Sequence, residues 1–495
     1  MIEVITSSEM KRIERYAIEV MGIPEEVLME TASRYVAQEI INLVGKGKTA
    51  MFLCGPGNNG GDGFCAARWH LQLGGKAVVV ALSDAQSGAA LLNRKILQNM
   101  GARIYRHIPE SISCDIIVDA MFGTGFKGDL TSEYLGAARY SNGSRKPVIA
   151  VDIPSGVDGE TGHAHIAVKA DVTVTFQYSK LAHYIYPGRG QSGKIVVCDI
   201  GLPFSIGAKP CAHILEQGDI YGSILRPRRP NSYKGDYGHV LIVAGSRGMA
   251  GAAVLAAQGA LKGGAGLVTV ACGKESVLPV VQSGAFEAMA YPLLETTEGH
   301  ISSLNDFDTA LSGKAVIAMG CGLGNHPETQ RVVQILSSSP LPKVMDADAL
   351  NVSDGKFGQD TVITPHPGEM ARLTGLSTQD ITRDPYHIAR EYAIQKGVTV
   401  LLKGATTVIA DKGGQVTLNL TGTPAMSTGG SGDVLTGLIA SLLAQGLSCY
   451  DAARSGAYLH GLAGELAEKR LGQSSVTAQD IAFQLFAAFK QTAIR

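Results

Sequence analysis

The 495-residue chain lacks several features, and each absence removes a class of protein. Charge of one sign is missing: 43 basic residues stand against 44 acidic ones, a net charge of −1, so no global field draws nucleic acid or an anionic membrane. Paired cysteine spacing is missing too. Cys54, Cys65, Cys114, Cys198, Cys211, Cys272, Cys321 and Cys449 are scattered, most in apolar runs, which favours buried free thiols over disulfides or a zinc site. No uncharged apolar run approaches the ~20 residues that a membrane-spanning helix needs. The start, Met1-Ile2-Glu3-Val4, is not a basic segment followed by an apolar one, so the expectation is a cytoplasmic protein without a signal peptide. Internal repeats and low-complexity tails are absent as well.

Glycine, by contrast, is abundant at 61 residues, as expected where many tight strand-to-helix turns occur. Two glycine-rich stretches stand out. Gly55-Pro56-Gly57-Asn58-Asn59-Gly60-Gly61-Asp62-Gly63 follows the apolar run 50–54 and leads to a helix expected over 64–73. Ser427-Thr428-Gly429-Gly430-Ser431-Gly432-Asp433 opens a helix expected over 434–445. A glycine-rich turn entering a helix bares backbone N–H groups at the positive end of the helix dipole and suits phosphate. Two such stretches imply two anion sites.

The length calls for two cores. Short apolar runs at 50–54, 76–82, 115–119, 147–152, 171–176 and 194–198 alternate with helical patterns, as in a parallel sheet covered on both faces. Thr6-Ser7-Ser8-Glu9 reads as a capping box ahead of the first helix. Residues 203–236 break the rhythm with four prolines and the basic cluster 226–229. A second series of strand-like runs starts at 238 and ends in a small meander over 398–419. The expected domains are 1–215 and 222–495, both α/β.

In the first half, 55–60 formally matches the G-x-G-x-x-G of dehydrogenases, but Asn58-Asn59 and Gly61-Asp62-Gly63 make it unusually polar for that role. Two more strand ends carry polar residues: Asp119, before Ala120-Met121-Phe122-Gly123-Thr124-Gly125-Phe126-Lys127-Gly128-Asp129, and Asp152, before Ile153-Pro154-Ser155-Gly156. Singly, such an aspartate is more often a cap or turn residue. Ligands of a doubly wound sheet bind at the carboxyl ends of strands, so Asn59, Asp119, Asp152 and Ser155 should gather along one edge. Their hard oxygens suit an alkali or alkaline-earth cation, and a free carboxylate there can move protons. Residues 1–210 resemble the NAD(P)H-hydrate epimerase family, which has a Rossmann-like three-layer α/β/α fold and interconverts the R and S forms of hydrated NADH or NADPH. The resemblance implies dinucleotide contacts from Asn58, Asn59, Gly60, Gly61 and Asp62, from Gly123, Thr124, Gly125, Phe126, Lys127, Gly128 and Asp129, and from Asp152. It also implies K+ held by Asn59, Asp119 and Ser155. Asp152 is the expected proton-transfer residue, with Lys127 as an electrostatic helper.

In the second half, a carboxylate at Asp433 can take a proton from an attacking hydroxyl beside the phosphate, although a plain helix cap would look the same. Thr364-Pro365-His366-Pro367-Gly368-Glu369 fixes a histidine between prolines with no evident packing purpose. These residues, with Gly245 to Ala252 and Gly320-Cys321-Gly322-Leu323-Gly324, resemble the ribokinase-like ADP/ATP-dependent NAD(P)H-hydrate dehydratases over 225–490. The resemblance places Ala253, Gly322, His366 and Asp433 on the hydrate. It places Lys403, Gly404, Ala405, Thr406, Thr407 and Gly432 on the adenine nucleotide, which would act with Mg2+. Cys321 stands where relatives often have proline, and is expected to alter loop stiffness rather than chemistry. Both halves together imply repair of NADH or NADPH hydrate with ADP favoured over ATP, catalytic residues Asp152, Lys127 and Asp433, and a homo-oligomer of four or more chains. The rival reading is a small-molecule kinase with a regulatory binding module at its front.

Overall fold

The computed structural model describes residues 1–110, 112–222, 224–303 and 307–493. Two compact units emerge, Glu3–Ala212 and His213–Arg495, the second also counting Met1 and Ile2. None of the helices in the described residues is long and apolar enough to cross a membrane.

The first unit is built on seven parallel strands in the spatial order Ile104–Tyr105, Lys76–Ala81, Thr49–Cys54, Ile116–Ala120, Val148–Val151, Val172–Phe176, Lys194–Cys198. Alternating side chains feed two cores: Phe52 and Cys54 pack into one face, Met51 and Leu53 into the other. The chain leaves Thr49–Cys54 first to one side and later to the other. That reversal makes the end of this strand the topological switch point, where a doubly wound sheet opens a crevice. This is the expected Rossmann-like three-layer arrangement.

The helix after that strand begins at Asn58, not near residue 64, and runs to Gln72. The glycines are its first two turns rather than an open loop. They are glycines because the backbone has no room for side chains: a Cβ on Gly60 would lie 2.1 Å from the Gly55 carbonyl oxygen, and one on Gly63 2.6 Å from Ala120 Cβ. Similarly, only half of the capping box at Thr6 forms. Thr6 Oγ1 accepts from Glu9 N, but the Glu9 carboxylate turns to Arg12 and to Lys209 N.

In the second unit the strands run Ile301–Ser303, Met289–Glu295, Leu267–Gly273, His239–Val243, Val316–Met319, Lys343–Met345, Thr361–Ile363, Thr399–Leu402, Thr407–Ala410, Val416–Asn419. Pairing is parallel from Met289–Glu295 to Thr399–Leu402 and antiparallel in the terminal meander. Met289–Glu295 and Ile301–Ser303 were not legible as strands. Helix Ser431–Ala444 lies tightly against helix Ala250–Lys262. A Cβ on Gly437 would meet the Ala256 carbonyl at 1.9 Å, and one on Gly259 the Val434 carbonyl at 2.2 Å. This close packing locks the start of the second glycine-rich helix beside the strand ends. The ribokinase-like α/β fold is thereby realised.

Two candidate active sites

At the switch point of the first unit lies a cavity of about 460 Å³, whose wall includes Asn58, Asn59, Asp62, Gly123, Thr124, Gly125, Phe126 and Asp152. Helix Asn58–Gln72 has no side-chain cap, so its first-turn amides remain available to an anion. Gly60 and Gly61 are buried packing positions, and Lys127, Gly128 and Asp129 are exposed beyond the cavity wall.

The lysine that engages Asp152 is instead Lys180, which sequence reasoning missed. Its ammonium, 1% exposed, donates to Asp152 Oδ1 at 2.8 Å, to Thr175 Oγ1 at 2.8 Å and to the Phe176 carbonyl at 3.0 Å. Thr175 Oγ1 also donates to Asp152 Oδ1, and Thr124 N donates to Oδ2. Burial alone would push the Asp152 carboxyl up, but the charge and hydrogen bond of Lys180 outweigh it and hold the carboxyl below the usual range. Asp152 sits at a left-handed φ of 66°, uncommon for a residue with a side chain. His183 supports that backbone: its Nε2 lies 2.8 Å from the Asp152 carbonyl, while Nδ1 accepts from Lys180 N. Those partners assign the neutral Nε2–H tautomer, and burial, helped by Lys180, lowers the imidazole to about 4. The available signal was one more strand end at the same edge, 172–176, with a lysine just after it.

Asp119 is fully buried and unlike Asp152 has no cationic partner among the described residues. Its Oδ1 accepts from Ser155 Oγ at 2.6 Å and Met121 N at 3.2 Å, and its Oδ2 from Ser155 N at 2.8 Å. Burial pushes it to about 6 despite those bonds. Asn59 lies in the wall of the cavity with a buried Nδ2 that lacks a partner, and a Cβ on Gly123 would lie 3.1 Å from both Asn59 Oδ1 and Asp152 Oδ2.

In the second unit, Gly430 caps helix Ser431–Ala444 at φ 91°, and Asp433 lies in the first turn. The capping position is therefore taken by a residue without a side chain, which leaves the Asp433 carboxyl free for chemistry. Burial raises it to about 7, with Asp346 and Asp348 adding to the rise and Lys403 and Cys321 opposing it. The Cys321 thiol hydrogen-bonds this carboxyl, so the residue bears on the chemistry as well as on loop stiffness. Lys403 reaches across from the end of its strand to Asp346 Oδ1 at 2.8 Å, with Glu369 at 3.8 Å, while Thr436 Oγ1 donates to Asp346 Oδ2 at 2.9 Å. Asp346 thus ties Lys403 to the glycine-rich helix, a link that had gone unread. A Cβ on Gly432 would lie 3.4 Å from Asp346 Oδ2 and 3.5 Å from Lys403 Nζ, so this turn faces both.

His366 does have a local purpose. It caps helix Pro367–Thr374, with Nδ1 accepting from Gly368 N and Glu369 N and the Glu369 carboxylate returning to His366 N at 2.8 Å. Half of its side chain remains exposed, which leaves a face for a ligand. Gly322 is held at φ 64° by the bond from Ser246 Oγ to its carbonyl, whereas Ala253 is completely buried. In the turn after Lys403, Gly404 and Ala405 are exposed, Thr406 is buried and Thr407 is half-buried.

Comparison with known proteins matches both halves of the chain. A family model described as NAD(P)H-hydrate dehydratase matches residues 240–486, and one described as YjeF-related protein N-terminus matches 25–182. The bifunctional NAD(P)H-hydrate repair enzyme Nnr of Thermofilum pendens is 39% identical over 96% of this chain and 94% of its own length. The enzyme of the same name from Moorella thermoacetica is 40% identical, with the same coverage. A crystal structure of the Bacillus subtilis ADP/ATP-dependent NAD(P)H-hydrate dehydratase, co-crystallized with ATP/Mg2+, is 29% identical over 57% of this chain and 99% of that one, with a TM-score of 0.50.

Proposed function

The chain belongs to the family of bifunctional NAD(P)H-hydrate repair enzymes, and on that premise we propose how its two sites divide the work. The protein epimerises R and S NAD(P)H hydrate and dehydrates the S form at the expense of ADP or ATP. Epimerisation belongs to the 460 Å³ cavity and dehydration to the turn around Asp433. The observation that carries the assignment is the contrast between the two aspartates. Asp152 is held ionised by Lys180, while Asp433 is tuned to about 7 beside a phosphate-binding turn.

At the second site the hydrate hydroxyl is a poor leaving group. Asp433 removes its proton as it attacks the terminal phosphorus of the nucleotide. The amides of Gly429 to Gly432 face the developing phosphoryl charge. Elimination of phosphate and of a ring proton then restores the double bond of NAD(P)H. The nucleotide lies along Lys403 to Thr407 and Gly432, and the hydrate against Gly322, His366 and Asp433. ADP is the favoured nucleotide, brought in with Mg2+, as the Bacillus structure is with ATP.

Asn59, Asp119 and Ser155 fit an alkali cation: an amide oxygen, a carboxylate and a hydroxyl are hard donors, and the partners of the buried Asp119 carboxylate are all neutral. K+ held there would neutralise Asp119 and fix the loops carrying Gly123 and Asp152. The protein works in the cytoplasm as a homo-oligomer. Replacing K+ by a bulky organic cation lowers the epimerase rate, and Asp119→Asn removes that dependence. An epimerase rate indifferent to the cation in both proteins would overturn the K+ assignment.

A further inference from the structure

A second carboxyl group shares the first cavity with Asp152, and its surroundings are opposite in kind. Glu14 projects from helix Ser7–Glu19, whose Met10, Ile13 and Ala17 anchor it in the core. It lines the cavity with Lys11, Glu25, Asp62 and Asp152. Among the described residues no hydrogen bond or ion pair holds its carboxyl. Asp152, in contrast, is clamped by Lys180 and Thr175.

The charged groups facing Glu14 are Asp152, Lys180, Glu25 and Lys11, with the neutral His183 behind Asp152. Burial, then the negative charge of Asp152, raises the Glu14 carboxyl to about 7, against the opposing pull of Lys180 and Lys11. Near neutral pH one carboxyl of the cavity therefore carries a proton and the other does not, the arrangement by which enzymes assign acid and base. Asp62, also in the cavity wall, is pushed well above the usual carboxylate range by burial and then by Asp152, Glu14 and Glu25. Glu14, in the wall of the cavity and raised to about 7, can both give a proton and regain one.

We propose that Glu14 is the general acid of the epimerase site, protonating the hydroxyl that leaves the hydrated nicotinamide ring while Asp152 serves as the ionised base. This rests on the first cavity being the epimerase site. The bond between carbon and hydroxyl oxygen breaks as the oxygen takes the Glu14 proton and departs as water. The lone pair of the adjacent ring nitrogen closes onto that carbon as an iminium. Water then adds to the opposite face, Asp152 takes its surplus proton and releases it to solvent, and solvent returns a proton to Glu14. Nothing is consumed.

The test uses the full chain and R hydrate, with dehydration of S hydrate in the same preparations as the check on folding. Glu14→Gln should lower epimerase kcat by about 10²-fold or more, leave KM within about threefold, and abolish the fall in rate as pH rises through the neutral range. Glu14→Asp should recover part of kcat and keep that fall. In 18O-water each wild-type epimerisation should carry one label into the hydroxyl. If Glu14→Gln keeps both kcat and the alkaline fall while Asp152→Asn is inactive, Glu14 is not the acid. An unlabelled epimer would overturn the leaving step. If Asp152→Asn is as active as the wild type, the epimerase reading of the cavity fails instead.

Discussion

Asp433→Asn is expected to lower kcat for the return of NADH from S hydrate by about 10²–10⁴-fold, with ADP still bound. Asparagine keeps the size and the polar contacts but cannot take the hydroxyl proton. The pH dependence of the wild type follows from the same group. A general base acts only when ionised, and burial holds the Asp433 carboxyl near 7. Dehydration should therefore fall about tenfold per pH unit below that value and level off above it. Cys321→Ala removes a donor that favours the ionised form, so the acidic limb should move to higher pH. Rates of absorbance recovery across pH 5.5–9 check both; a limb that stays in place in Cys321→Ala would remove the thiol from the account.

Lys180→Met should be the most damaging single change in the first unit. It leaves the Asp152 carboxylate buried without its counter-charge, and breaking one side of such a pair costs about 3–5 kcal/mol. For a unit of this size that is a fall in melting temperature of roughly 6–20 °C. The protein provides its own probe, because its one tryptophan, Trp69, lies in helix Asn58–Gln72 of that unit. The sign with pH is definite. Asp152 is held below its unfolded value of about 3.9, so the pair stabilises the fold above that pH. Its contribution disappears as pH falls through the folded value, and the gap between wild type and Lys180→Met should narrow in acid. Unchanged tryptophan-monitored melting at pH 7 would contradict the clamp.

The strand ends were legible because parallel strands are short apolar runs followed by polar turns, and the switch point follows from their order. Asp119 and Asp152 stood out at such strand ends and Asp433 at the start of the second glycine-rich helix, while the roles expected of them drew on the family resemblance as well. Lys180 could not, since a buried lysine looks like any other until the fold shows it beside a carboxylate. Glu14 was hidden for a different reason: it lies on a helix far upstream, in a face that reads as ordinary amphipathic surface. His366 and the stretch Asn58–Gly63 were misread locally. Sequence distinguishes poorly between a cap and a ligand, or between a glycine freed for phosphate and one forced by packing.

One chain first corrects the stereochemistry of the hydrate and then removes its water. An equal mixture of R and S NADH hydrate, supplied with ADP, K+ and Mg2+, tests it through the recovery of NADH absorbance. The wild type should convert the whole mixture, Asp152→Asn only the S half beyond the slow uncatalysed interconversion, and Asp433→Asn none. Complete conversion by Asp152→Asn at the wild-type rate, or recovery by Asp433→Asn, would contradict the account.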